Sequence, residues 1–151
     1  MGKQVLESVT TKSLRVMKNI YYIKLQVNPL AHTKSPGDYL VLTENKRYII
    51  ECKEIDMRKR INNTWRFERL TQEEDLLLFE KTHLNNNAYI LIMFRKRMIR
   101  TSSIFFIPIE KYILIKKYWE KKSMKLTDFE REFLLYKCDV RPGGLIKIQL
   151  I

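Results

Sequence analysis

Three residues of this chain combine types and spacings that could hydrolyse a phosphodiester bond. Asp38 opens one predicted β-strand, and Glu51 and Lys53 alternate near the end of the next predicted strand. Two carboxylates suit a hard divalent ion such as Mg²⁺, which keeps several waters and takes phosphate oxygens as further ligands. A lysine beside the ion can stabilise the charge that develops in the transition state. These residue types fit phosphodiester hydrolysis better than acyl transfer, which needs a nucleophile-His-Asp grouping, or glycoside hydrolysis, which needs no lysine.

A hairpin is predicted to carry all three residues. Two strand-like segments, 38–43 and 47–53, flank a polar stretch in which we assign Asn45-Lys46 as a two-residue turn. In that register Asp38 lies opposite Lys53. Residues directly opposite each other, and residues two apart on one strand, share a face of the sheet. We therefore expect both carboxylates and the ammonium to converge on one face at one end of the hairpin.

The remaining segments predict an α/β fold. Hydrophobic periodicity and breaker residues indicate helices over 4–18, 71–84, 109–122 and 127–136, and further strands over 20–27, 88–94 and 102–107. Two of these helices begin at capping-box patterns, Thr71 with Glu74 and Thr127 with Glu130. The alternating tail 145–151 is expected to form an edge strand. The order α-β-β-β-α-β-β-α-α predicts a central mixed β-sheet flanked by helices.

Composition narrows the functional class. The chain has 151 residues, which favours a single domain over 1–151, and 29 Lys and Arg against 17 Asp and Glu give a net charge of +12. Such an excess favours a polyanionic partner such as nucleic acid. Its two cysteines, Cys52 and Cys138, indicate neither a disulfide framework nor a zinc site. The sequence shows no signal peptide and no apolar run of about 20 residues, so we expect an intracellular protein that does not interact with membranes.

Basic residues cluster in two segments that follow predicted strands. The connection after Lys53 is expected to be a loop of about sixteen residues, which is long for a compact domain and suggests function. The basic turn 95–100 forms the second segment. The candidate phosphate-binding residues are Arg58, Lys59, Arg60, Arg66, Arg69, Arg95, Lys96 and Arg97. The lysines over 116–125 form a third cluster, for which we favour a solvated helix face.

The pattern Asp38-X12-Glu51-Cys52-Lys53, set in a hairpin, resembles the core motif of the PD-(D/E)XK nuclease superfamily. Within that superfamily, Holliday-junction resolvases of archaea, their viruses and some bacteria have a Gly…Glu helix before the motif and often a glutamine on the helix after it. The segment Gly2-Lys3-Gln4-Val5-Leu6-Glu7 is similar to the first element, and Gln72 is similar to the second. The resemblance covers about residues 2–107, which leaves a helical extension over about 108–151.

This resemblance implies a restriction-endonuclease-like core and a set of site residues. Glu7, Asp38 and Glu51 would be Mg²⁺ ligands, with Mn²⁺ as a substitute metal, while Lys53 and Gln72 would complete the catalytic set. It also implies a homodimer acting on branched DNA, without a small-molecule organic cofactor.

Two features near Asp38 depart from the resolvase pattern. Gly37 stands where the family usually has proline. The loop 32–36 is only loosely similar to a segment that some resolvases place near the junction, and Lys34 in this loop is a further DNA-binding candidate. Two alternatives therefore stay open. One is a nuclease for single strands, flaps or duplex ends, and the other is a non-catalytic nucleic-acid-binding protein with a nuclease fold.

Overall fold

The computed structural model describes residues 5–25, 37–61 and 63–150. Its helices are α1 (Val5–Arg15), α2 (Glu73–Thr82), α3 (Ile109–Tyr118) and α4 (Leu126–Glu132). Its strands are β1 (Tyr21–Lys24), β2 (Tyr39–Leu42), β3 (Arg47–Asp56), β4 (Trp65–Arg66), β5 (Asn86–Arg95), β6 (Ser103–Pro108) and β7 (Ser123–Met124). Single 3₁₀ turns lie at Phe67–Arg69, Ile99–Thr101 and Leu134–Tyr136. None of the helices in these ranges is long and apolar enough to cross a membrane.

Five strands form a mixed sheet in the order β1-β2-β3-β5-β6. The β3–β5 pair is parallel and is connected through α2, whereas the other neighbours pair antiparallel. The short strands β4 and β7 form a second, two-stranded sheet. The predicted fold class, an α/β fold with a central mixed sheet flanked by helices, is confirmed.

Side chains alternate across β3 and separate two hydrophobic clusters. Ile49 and Ile55 belong to a cluster that includes buried residues of α2, α3 and α4, whereas Ile50 and Cys52 belong to a cluster with buried residues of α1. The sheet is therefore covered on both faces, which explains why β5 is an almost continuous apolar run rather than an alternating one. Glu51 and Lys53 share the face of Ile49 because they lie at odd-numbered positions of the same strand.

The predicted hairpin turn is wrong by two residues of register. Tyr39 pairs with Ile50 and Leu42 with Arg47, so the loop is the four-residue segment 43–46. Thr43 closes this loop, because its amide donates to the Lys46 carbonyl at 2.9 Å and its hydroxyl accepts from the Lys46 amide at 3.1 Å. A shift of two residues in this register leaves every side chain on its predicted face. Continuing the register places Asp38 opposite Glu51 instead of Lys53.

Several element ends also differ from the sequence prediction. Gln72 and Lys125 are the N-caps of α2 and α4, and neither makes a side-chain cap hydrogen bond, so both predicted capping boxes are wrong.

The third helix ends at Tyr118, and Ser123–Met124 then pairs with β4. α1 ends at Arg15, α2 at Thr82 and α4 at Glu132. The predicted edge strand over 145–151 is reduced, in its described part, to an isolated bridge between Val140 and Ile146.

The predicted sixteen-residue loop after Lys53 is largely ordered by strand and core contacts. β3 continues to Asp56, and Trp65 is fully buried. The indole of Trp65 packs edge-on to Tyr112 and Phe129, with ring centroids 6.2 and 6.4 Å away, and its Nε1 donates to the Tyr112 hydroxyl at 3.2 Å. Burial of one aromatic side chain contributes about 1.5–3 kcal/mol, enough to fix the middle of this connection.

Candidate active site

Asp38, Glu51 and Lys53 lie together where β2 begins beside the middle of β3. Lys53 Nζ is 3.3 Å from Glu51 Oε1, and the Glu51 side chain is only 6% exposed. Asp38 lies close enough to Glu51 to affect the pKa of its carboxyl and to hydrogen-bond to it. The predicted convergence of the two carboxylates and the ammonium on one face is therefore present in the structure.

Asp38 is held by three hydrogen bonds, two of its backbone and one of its side chain. Its amide donates to the Ile50 carbonyl at 2.8 Å, and its carbonyl accepts from the Leu25 amide at 2.8 Å. Its side chain accepts from the Cys52 amide through Oδ2 at 2.7 Å. Because Cys52 stands between Glu51 and Lys53, this last bond fixes the carboxylate relative to both of them.

Gly37 allows the close approach that brings Asp38 to β3. A Cβ at this position would lie 2.8 Å from Ile49 Cγ1 and 3.0 Å from the Ile50 carbonyl oxygen. Distances this short are not tolerated without movement of the backbone or of the Ile49 side chain. The tight packing at this position thus explains why a glycine stands where the resolvase pattern usually has proline.

The carboxyl groups of this site are hard to ionise. Burial and, to a smaller extent, the neighbouring Asp38 raise the pKa of Glu51 to about 7, although Lys53 opposes both effects. Burial also raises the pKa of Asp38, against the lowering effect of the Cys52 amide, and the nearby Glu7 adds to the increase. Two buried carboxylates that repel each other bind a cation favourably. The cation offsets both their mutual repulsion and the cost of burying their charge.

Glu7 approaches this pair from α1, which packs on the opposite face of the sheet. Its carboxylate is 3.4 Å from Lys24 Nζ on β1, and its side chain is 26% exposed. Within the described ranges, no group of three or more His, Cys, Asp or Glu side chains is close enough to hold a metal ion. Glu7 is therefore near Asp38 electrostatically but is not gathered with Asp38 and Glu51 into a three-acid cluster.

The donor set at Asp38 and Glu51 suits Mg²⁺ or Mn²⁺. It offers carboxylate oxygens and no sulfur or imidazole, which is the preference of hard divalent ions. Magnesium commonly binds through one or two carboxylates and fills its other positions with water and phosphate oxygens. Two acids are thus sufficient for such a site.

Gln72, the remaining residue of the predicted catalytic set, is the N-cap of α2. Its Oε1 atom is buried and has no hydrogen-bond partner in the part of the chain that the structure describes. A buried amide oxygen without a partner is uncommon, since it loses its hydration without compensation.

The structure brings the two predicted basic segments together. Asp56 and Arg95 are register partners at the ends of the parallel strands β3 and β5, so the residues that follow each strand lie side by side. Arg58, Lys59 and Arg97 line one open groove with Asp56. The exposed candidates are Arg58, Lys59, Arg60, Arg66, Arg69, Lys96 and Arg97.

Some of these arginines are bound within the protein. Arg58 makes a two-pronged ion pair with Asp56, with both nitrogen–oxygen distances 2.9 Å. Arg95 lies 3.7 Å from Glu54, and Arg69 donates to the Glu54 carbonyl at 2.9 Å while lying 5.9 Å from the centre of the Trp65 ring. These contacts hold the groove in place, while Lys59 and Arg97 present their charge to solvent.

A few predicted positions lie outside the described residues. They are Gly2-Lys3-Gln4, residues 26–27 of the predicted strand 20–27, the loop 32–36 with Lys34, and the last residue of the predicted edge strand 145–151. Sequence reasoning also passed over Glu54 and Tyr39, which bind the first turn of α1. The only sequence signal for these two is position, because each directly follows a site residue on a strand and therefore points to the opposite face.

The structure is similar to that of Hjc, a Holliday junction resolvase from the archaeal hyperthermophile Archaeoglobus fulgidus. The two chains are 13% identical and superpose with a TM-score of 0.51, over 89% of this chain and 93% of that one. No protein-family model matches the chain, and no curated protein matches its sequence. The likeness shows that the two proteins share a fold.

Proposed function

We propose that this chain is a Mg²⁺-dependent endonuclease that hydrolyses phosphodiester bonds in DNA, with branched DNA as its substrate. The observation that carries this proposal is the placement of Asp38, Glu51 and Lys53 on one face, with Lys53 Nζ 3.3 Å from Glu51. The shared fold with an archaeal resolvase supports the same conclusion. The two observations are independent. The superposition compares the course of the backbones, whereas the site is defined by the types and positions of three side chains.

The residues of the site have separate roles in the proposed reaction. Asp38 and Glu51 would hold Mg²⁺, or Mn²⁺ in its place, and Glu7 would add a third carboxylate. When bound, the metal lowers the pKa of a coordinated water and neutralises charge on the phosphate. Lys53 favours the ionised form of Glu51 and would stabilise negative charge at the attacked phosphate. The Cys52 amide keeps Asp38 oriented throughout.

The charge of the chain supports DNA as the partner. A net charge of +12 and the groove of Lys59 and Arg97, which begins at the end of the strand that carries Glu51 and Lys53, suit a phosphate backbone next to the cut. Symmetric cleavage of a four-way junction needs two sites related by a two-fold axis, so we propose that the active form is a homodimer. Sedimentation as a monomer at micromolar concentration would contradict the dimer but not the chemistry.

The proposal is tested by incubating the purified protein and Mg²⁺ with four-way junction, flap, duplex and single-stranded DNA of matched sequence. We expect cleavage of the junction that EDTA abolishes. Glu51→Gln should cut nothing and still bind the junction, while Glu44→Gln, an equivalent change in the exposed hairpin loop, should cut like the parent protein. Binding without cleavage by the parent protein would favour a non-catalytic nucleic-acid-binding role, and preference for another DNA form would reassign the substrate.

A further inference from the structure

The segment 116–125 is the most lysine-rich part of the chain that the proposed function has not used. Its ten residues contain five lysines and a single acid, Glu120. The sequence pattern favoured a solvated helix face for these lysines. In the structure only the first two lie on α3, which ends at Tyr118, and the other three flank the short strand β7.

Specific contacts fix this segment to the rest of the protein. Lys116 Nζ is 2.8 Å from Glu73 Oε2 at the start of α2. The Lys122 carbonyl accepts a hydrogen bond from the Phe67 amide at 3.1 Å, directly after β4. The lysines that follow α3 therefore project from a backbone whose position is set by its neighbours.

Four of the five lysines carry charge that the protein does not neutralise. They are exposed, and within the described ranges none of them forms an ion pair with a carboxylate. These four residues form the lysine band, which consists of Lys117, Lys121, Lys122 and Lys125. Like charges gathered on one segment repel each other, and a bound polyanion removes that repulsion.

An open groove connects the candidate active site to the lysine band. It begins at Glu54, one residue after Lys53, and reaches Arg66 on β4. Arg66 pairs in register with Ser123 of β7, and paired strands lie about 4.8 Å apart. Lys122, which directly precedes Ser123, therefore borders the Arg66 end of this groove.

The acids along this groove oppose a polyanion only weakly, because each of them has a cationic partner. The pairs, with nitrogen–oxygen distances of 3.7, 2.9 and 3.9 Å, are Glu54 with Arg95, Asp56 with Arg58 and Glu68 with Arg66. The groove also shares Lys59 with the groove that Arg97 lines. Cationic side chains thus follow one path from the end of β3 to the lysine band.

We propose that the lysine band binds the phosphate backbone of a duplex DNA arm that leads away from the cut. The inference deepens the proposed function and rests on it, since it takes DNA as the partner. A duplex carries about one phosphate charge per 1.7 Å of its axis, which suits several cations on one fixed segment. Lysine binds phosphate as a point charge and reads no sequence, so the lysine band positions the arm without selecting its bases.

The test is binding of a fluorescently labelled four-way junction across a salt series, in EDTA so that the DNA stays intact. The alanine variant, Lys121→Ala/Lys122→Ala/Lys125→Ala, should lower the slope of log affinity against log salt by about three. At about 0.1 M salt its affinity should fall by at least about tenfold. Arginine at the same three positions keeps the charge and should bind like the parent protein.

A matched control removes the same charge from the opposite face of the sheet. The control variant is Lys12→Ala/Arg15→Ala/Lys18→Ala, at exposed positions in and just after α1. It should leave the salt slope unchanged, because α1 packs on the face that α3 does not cover.

Two further measurements do not depend on the salt slope. Bound junction should slow the acetylation of the lysine band by acetic anhydride, while Lys12 reacts at an unchanged rate, as read by mass spectrometry. In cleavage assays the alanine variant should need more DNA for its half-maximal rate and keep the maximal rate of the parent. Acetylation of the parent protein decides the matter even where the alanine variant does not fold.

The outcomes separate this inference from the proposed function. Equal slopes for the alanine and control variants, unprotected lysines, or a loss confined to single-stranded DNA would overturn the role of the lysine band. A parent protein that cuts DNA, together with an alanine variant that binds it equally well, would remove that role alone. A parent protein that binds no DNA would remove the proposed function too.

Discussion

The side chain of Asp38 accepts a hydrogen bond from the backbone amide of Cys52 at 2.7 Å. This bond joins the residue that precedes β2 to the residue between the acid and the lysine of β3. Every residue except proline supplies this backbone donor at position 52, so the bond fixes the aspartate while leaving its neighbour nearly free to vary. The geometry of the proposed active site is therefore built into the pairing of the two strands.

Asp38→Asn should separate the charge of this residue from its structural role. The asparagine oxygen can still accept from the Cys52 amide, so we expect a folded protein with a melting temperature close to that of the parent. Cleavage should fall by about a hundredfold or more, because the proposed metal ligand loses its charge, and even groups that only support such ligands contribute about 10- to 100-fold. Circular dichroism and a junction-cleavage assay check the two expectations, and a variant that is unfolded, or one that cuts normally, would contradict them.

Glu51 should make the metal-free protein less stable as the pH rises. Burial lifts its pKa from 4.5 to about 7 in the folded state, so between these values the folded protein binds more protons than the unfolded chain. Stability from this group is complete below the unfolded pKa and is lost as the pH passes the folded pKa, a change of about 3 kcal/mol. Glu51→Gln should remove that dependence.

The measurement is the free energy of urea unfolding in EDTA at about pH 5 and about pH 8, for the parent and for Glu51→Gln. The variant should be the more stable protein at the higher pH. Adding Mg²⁺ should stabilise the parent alone, since binding to the folded state shifts the equilibrium. Parallel pH profiles for the two proteins would show that Glu51 is ionised normally.

The face on which the site residues meet could be predicted from sequence even though the register could not. The polar stretch 44–46 fits several turn types, and the side chain of Thr43 decides between them through its bonds to Lys46. The error was an even number of residues, so the alternation of β3 still sent Glu51 and Lys53 to the face of Asp38. The face on which a strand side chain lies is thus predicted more reliably from sequence than the turn that joins two strands.

Contacts between distant segments were beyond the reach of the sequence patterns. Arg69 was predicted to bind phosphate from a long loop, yet its guanidinium is held by the Glu54 carbonyl, and Trp65 in the same segment is buried. A short strand pair such as β4–β7, with two residues on each side, has no periodicity to detect. The ion pair between Asp56 and Arg58 is local, but the sequence does not predict it until β3 is known to end at Asp56.

Gly37→Ala should weaken the site through backbone displacement alone. The added methyl would meet Ile49 at 2.8 Å and the Ile50 carbonyl at 3.0 Å, so the segment before β2 must move away from β3. Overpacking of this kind costs about 1–3 kcal/mol. We expect a matching loss of stability in urea unfolding, together with weaker Mn²⁺ binding. Unchanged stability would mean that the Ile49 side chain turns aside and the strands keep their spacing.

The double variant Lys59→Ala/Arg97→Ala should weaken DNA binding without weakening metal binding. Both residues line the groove at the ends of β3 and β5, and removing one cation that binds a phosphate lowers the slope of log affinity against log salt by about one. The matched control, Lys46→Ala/Arg47→Ala, removes the same charge at the other end of β3, about 30 Å away. Binding measured across a salt series should show a slope smaller by about two for the groove variant alone. Equal slopes for the two variants would place the DNA elsewhere.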